Sequence, residues 1–172
     1  MVNDFRQIIV NWYERKKFKK IDFKENFIDE IEDRYQIKYR AVFEPRDSLT
    51  KARVELDYTK TGLIGVGFER WDRVAARRNC KFMLGYKNRF ASGHEPIRVP
   101  IEGVVQLLEE IASGNIALKT FCMFGILMSI KAVTTNDVRD RLNKKGYSFN
   151  SWYFVANSTE NLDNLVRYDP WE

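Results

Sequence analysis

The sequence predicts an α+β fold. An N-terminal helix leads into an α-β-β-β-α unit with an antiparallel three-stranded meander, and a helical C-terminal region follows. Three observations predict it. Apolar residues recur at three-four spacing over residues 3–20 and again from Pro100 onward, the mark of a helix face. Between them, from Gln36 to Phe68, the period falls to two. The connections at 45–51 and 59–61 are short and polar, which antiparallel strands permit and parallel strands do not.

Residues 3–20 form the first predicted helix. Phe5, Ile8, Ile9, Trp12 and Tyr13 make its apolar face, and Asn3 is its N-cap residue. It ends in Glu14-Arg-Lys-Lys-Phe-Lys-Lys20, where cations suit the helix dipole. Residues 24–35 predict a second helix, with Phe27, Ile28, Ile31 and Tyr35 inside and Glu25, Asp29, Glu30, Glu32 and Asp33 outside. Three strands follow. Ile37 and Tyr39 alternate with Lys38 and Arg40; Val54 and Leu56 alternate with Arg53, Glu55 and Asp57; the third strand, 62–68, is rich in glycine. Helical spacing returns over 70–84 around Ala75, Asn79, Phe82 and Met83. Residues 87–96 read as a linker, and Pro100 opens a helix lined by Val104, Val105, Leu107, Leu108 and Ile111, with Gly114 at its end. Residues 116–133 read as an apolar helix at the centre of a small helical core, its greasiest run being Phe121 to Met128. Helices at 134–145 and 149–156 complete the region; 157–168 fits a helix or a hairpin. The division implied is a basic α+β domain over 1–95 and a helical region over 96–172.

Composition narrows the function. With 172 residues, 44% of them hydrophobic and 14% aromatic, the chain folds rather than stays disordered. The net charge is +5, but residues 1–99 carry 22 basic against 15 acidic side chains, while residues 100–172 carry 7 against 9. The first stretch therefore suits an anionic partner. Two cysteines, Cys80 and Cys122, make no disulfide framework and read as reduced core thiols of an intracellular protein, cytoplasmic or nuclear. The single histidine, His94, excludes a mixed Cys/His zinc site and leaves no triad of serine or cysteine type. No apolar run approaches the ~20 residues that span a bilayer. No cofactor motif, metal-ligand set or catalytic residue stands out.

The order of elements over 24–84, with Gly65, Gly67 and Ala75 at the end of the third strand and in the helix after it, resembles the double-stranded RNA-binding domain. Asn79, Cys80, Met83 and Leu84 stand where that family has paired small and apolar residues, and the match covers about a third of the chain. The departures are definite. Where the family opens this helix with two basic residues, Asp72 and Arg73 follow Trp71, and the basic residues come later, at Arg77, Arg78 and Lys81. Its G-P-x-H loop is replaced by Pro45-Arg46-Asp47-Ser48-Leu49. The resemblance implies the family's fold, and either RNA contact or the protein-interaction role of members that have lost it.

The densest basic stretch holds Arg70, Arg73, Arg77, Arg78, Lys81, Lys87 and Arg89 against Asp72 alone, with Trp71 and Tyr86 as stacking aromatics. Lys16, Lys17, Lys19 and Lys20 form a second. The expected function is a non-catalytic nucleic-acid-binding protein, for RNA or DNA, that contacts phosphates through these side chains. The C-terminal helices have helix-turn-helix spacing, with Ser148, Asn150 and Ser151 placed to meet bases and Lys144 and Lys145 near phosphates. The alternative is a protein-interaction module or inhibitor. It uses the acidic helix 24–35, the C-terminal helices, or the aromatic tail Tyr168-Asp-Pro-Trp171-Glu. A divergent metal-dependent nuclease is a third reading. It would use Glu55, Asp57 and Lys60, with Glu44 meeting Glu55 across a hairpin.

Overall fold

The computed structural model describes residues 1–28, 36–47, 50–82, 96–97, 101–134 and 164–172. Helix α1 (Val2–Lys16) leads into β1 (Ile21–Phe27), β2 (Ile37–Pro45), β3 (Val54–Thr59) and β4 (Ile64–Phe68). Then come α2 (Trp71–Arg77), β5 (Lys81–Phe82), β6 (Pro96–Ile97) and α3 (Ile101–Ala112). Strands β7 (Ile116–Met123), β8 (Ile126–Thr134) and β9 (Leu165–Val166) complete the order. One sheet runs β1-β2-β3-β4-β6, all antiparallel. The other runs β5-β8-β7-β9, in which β5 and β8 are parallel.

The period-two pattern of the meander becomes layers across the first sheet. Tyr39 pairs with Tyr58 and that with Ile64; Ala41 with Leu56 and that with Val66; Phe43 with Val54 and that with Phe68. All nine are buried on one face. Helix α1 lies on this face because Phe5, Ile9 and Trp12 share one side of it. Phe5 stacks on Tyr58 at 5.0 Å, and Trp12 meets Phe43 edge-on at 5.7 Å, arrangements that suit aromatic quadrupoles. Helix α3 buries Val104, Leu107, Leu108 and Ile111 in the same cluster. The Trp12 indole N–H donates to Glu109 at 2.8 Å, satisfying a polar atom beside the core. The cluster runs on to Leu118, Leu127, Ile130 and Trp171.

Several elements differ from those the sequence predicts. Residues 24–27 belong to strand β1 rather than to a helix over 24–35, and residues 29–35 lie outside the described part. Ile21, Asp22, Phe23 and Lys24 alternate, and β1 pairs with β2 from Ile21↔Pro45 to Phe27↔Tyr39, so the meander has four strands. Among the described residues the C-terminal region holds one helix, α3, and is otherwise mostly strands: residues 116–133 form the β7–β8 hairpin. Its strands are apolar on both faces, which hides the period of two, and Phe124 and Gly125 turn the chain with φ of 52° and 72°. Positive φ at both central residues is the two-residue turn that matches strand twist. The predicted helices at 134–145 and 149–156, with their helix-turn-helix, lie outside the described residues; from 157–168 the described end holds β9.

Helix ends also shift. Helix α1 stops at Lys16 rather than residue 20, because Lys17 turns left-handed (φ 53°) and Phe18 folds back to Trp12. Helix α2 ends at Arg77 rather than residue 84. Asn79 is left-handed (φ 51°), and the Cys80 N–H donates to the Ala75 carbonyl, which closes the helix. Helix α3 begins at Ile101 and ends at Ala112, and Gly114, read as its stop, has φ 73°.

Two predictions follow from this packing. Glu25 accepts from Arg6 of α1 and, at 2.8 Å, from the Tyr39 hydroxyl, tying α1 to β1 and β2. The Arg6 hydrogen bond holds its carboxyl below the ordinary carboxylate range. A depressed folded-state value stabilises above the unfolded value and is lost as pH falls through the folded one. The stability advantage over Glu25→Gln is therefore expected to be full near neutral pH and to vanish in acid, as read by urea unfolding at several pH values. At Gly114 a Cβ would lie 2.8 Å from the Tyr168 carbonyl oxygen and 3.2 Å from Pro170. Gly114→Ala is expected to cost more than about 1 kcal/mol in the same assay.

Candidate functional site

Arg70, Arg73, Arg77 and Arg78 lie on or beside α2, but they face this chain's own groups. Arg70 grips Asp72 through two bonds, at 3.0 and 2.8 Å. Arg73 reaches Glu69 at 3.1 Å and Glu44 at 3.8 Å. Arg77 donates to the Arg167 carbonyl at 3.0 Å and lies over the Tyr168 ring at 4.6 Å. Arg78 donates to Asn164 at 3.3 Å. These contacts seat the C-terminal segment against α2. Lys81 is exposed. Lys87, Arg89, Tyr86 and His94 lie outside the described residues.

Beneath the arginines lies a charged sheet face, opposite the aromatic one. Arg40 binds Asp57 at 2.6 and 3.0 Å, and Arg53 binds Glu44 at 2.6 Å. Arg53 also reaches Glu55, at 3.4 Å. Gly65 and Gly67 stand across from Asp57 and Glu55 and add no side chain of their own. Glu69 is fully buried, at φ 60°. Burial pushes its carboxyl above the ordinary range, against the pull of Arg73 and of backbone N–H donors. Glu44 and Glu55 do converge across the β2–β3 hairpin, but on the Arg53 guanidinium. A cation in that place neutralises the carboxylates that a metal would need. Among the described residues no group of three or more His, Cys, Asp or Glu side chains is arranged to hold a metal ion.

The second basic stretch divides. Lys16 pairs with Glu109 at 2.5 Å. Lys17, Lys19 and Lys20 are exposed in the turn between α1 and β1. Among the described residues none of these three side chains meets a carboxylate.

Among the described residues, most of the exposed large apolar side chains gather at one place, which sequence reasoning put in the core. At the β7–β8 tip, Phe121 is 53% exposed, Met123 43%, Phe124 92% and Ile126 36%. Met123 pairs with Ile126, and the turn between them projects far enough that a Cβ on Gly125 would meet nothing within 4 Å. A phenylalanine in the left-handed region is unusual, because its Cβ crowds the backbone. Such strain costs on the order of 1–3 kcal/mol. The signal for this site was present as Phe124-Gly125 between two apolar runs. The aromatic tail serves this chain: Trp171 is buried against Phe43 and Phe18.

No family model, curated protein or solved structure matches this chain. Among the described residues no helix is long and apolar enough to cross a membrane.

One prediction concerns the arginines. If Arg77 holds the C-terminal segment, Arg77→Ala is expected to lower stability by about 1–2 kcal/mol through its lost hydrogen bond and ring contact. Urea unfolding would show a lower midpoint at unchanged slope; an unchanged midpoint would leave Arg77 available as a phosphate contact.

Proposed function

We propose that this protein is a non-catalytic interaction module that docks on a protein partner through the tip of the β7–β8 hairpin. The observation that carries this reading is Phe124, 92% exposed in a left-handed backbone conformation and flanked by Phe121, Met123 and Ile126. Large aromatic anchors ringed by apolar neighbours dominate protein–protein binding energy. An Asn-Gly turn would give the hairpin its preferred residues and no anchor. The chosen variant is therefore Phe124→Asn. Its stability is expected to match or exceed that of the parent, while partner affinity falls by about 30-fold, as for loss of a ~2 kcal/mol hot spot. The measurement is quantitative capture of partner protein by the full chain and by the variant, side by side. Equal capture by both would overturn the reading.

A second reading, contact with nucleic-acid phosphates, draws support from exposed Lys17, Lys19 and Lys20 rather than from the α2 arginines. It differs in being salt-dependent. An anisotropy titration against duplex RNA, duplex DNA and single strands at two salt concentrations separates the two. Polynucleotide binding indifferent to Phe124→Asn favours the lysines; no binding at ~150 mM salt leaves the protein partner.

A further inference from the structure

Cys80 and Cys122 lie 42 positions apart in the chain, yet their sulfur atoms are 3.0 Å apart. Both thiols are free and half-buried, so small solutes can reach them. The fold brings them together through three local features. Left-handed Asn79 turns the chain out of α2. The Lys81 N–H then donates to the Gly125 carbonyl at 2.8 Å, which holds the start of β5 against the hairpin turn. On the other side, β7 has a register irregularity between Phe121 and Cys122, a device that re-aims a side chain.

We propose that Cys80 and Cys122 form a peroxide-responsive modification site, in which oxidation closes an intramolecular disulfide that fastens the segment after α2 to the β7–β8 hairpin. The oxidant is hydrogen peroxide. The Cys122 sulfur, giving up its proton, attacks one peroxide oxygen; the O–O bond breaks, and the departing hydroxide leaves with that proton as water. The product is a sulfenic acid on Cys122. The Cys80 sulfur, giving up its proton, then attacks the Cys122 sulfur; the S–O bond breaks, and hydroxide leaves with that proton as a second water. Two thiols lose two electrons, and one peroxide becomes two waters. Burial, the hydrogen bond to Cys122 and the charge of Cys122 push the Cys80 thiol up to about 11. Held protonated in this way, Cys80 acts second, losing its proton as it attacks. The site is independent of which partner the hairpin takes.

The test uses the native full chain. Protein is treated with hydrogen peroxide, remaining thiols are blocked with N-ethylmaleimide, and the digest is read by mass spectrometry without reduction. The expected product is one cross-linked peptide pair, about 2 Da lighter than the two reduced peptides together and separated by dithiothreitol. Cys80→Ser is expected to stop at the sulfenic acid of Cys122, trapped by dimedone. Undiminished N-ethylmaleimide uptake at both cysteines after peroxide would overturn the proposal. So would a cross-link formed equally well in urea, or one formed only between chains, since the native fold would then contribute nothing.

Discussion

Trp171 is the contact on which the rest of the architecture leans. Its ring lies 5.6 Å from Phe43 of the first sheet and 5.4 Å from Phe18 after α1. Its indole N–H donates to the Ala52 carbonyl, and its backbone N–H donates to Ala112 at the end of α3. Neighbouring residues extend the same seam. Asp169 donates to Thr50, Lys51 donates to Pro170 at 2.5 Å, and Glu172 accepts from Lys19. One residue, through its ring and its backbone, thus joins the turn after α1, the approach to β3 and the end of α3. Burial of a tryptophan of this kind is worth about 3–5 kcal/mol, a large share of a domain's stability.

The charged face of the sheet shows the converse problem, how to bury charge without ruin. Arg40, Arg53 and Arg73 are each matched to carboxylates on neighbouring strands or on the strand end. A carboxylate removed from water needs its partner close, and removing either member leaves the other uncompensated. Positive charge concentrated in sequence is therefore not the same as positive potential offered to a ligand. Many of the arginines in the first half of the chain face this chain's own groups, while its net charge is left as it was.

This explains what could be read in advance. The central strands were legible because Lys38, Arg40, Arg53, Glu55 and Asp57 mark one face against an apolar other. Helix α3 was legible from its spacing and from Pro100 and Gly114. Strand β1 was missed because its alternation begins at Ile21, before the apolar stripe assigned to a helix. The β7–β8 hairpin was missed because a strand apolar on both faces carries no period, and length alone suggested a helix. The clustering of arginines was legible too. Their partners were not: Glu44, Asn164 and the Arg167 carbonyl are distant in sequence, and pairing over such distances is written only in the fold. Lys17, Lys19 and Lys20 are exposed, in a turn rather than in the helix end predicted there.

The position of Trp171 also sets the order of events during synthesis. The aromatic floor made by Phe18 and Phe43 leaves the ribosome well before the ring that covers it. While the rest of the chain is made, the first sheet has its strands but lacks its last wall. Exposed apolar surface of this kind is what chaperones recognise and what drives early aggregation. Closure of this aromatic floor thus waits on Trp171 rather than on the strands it covers.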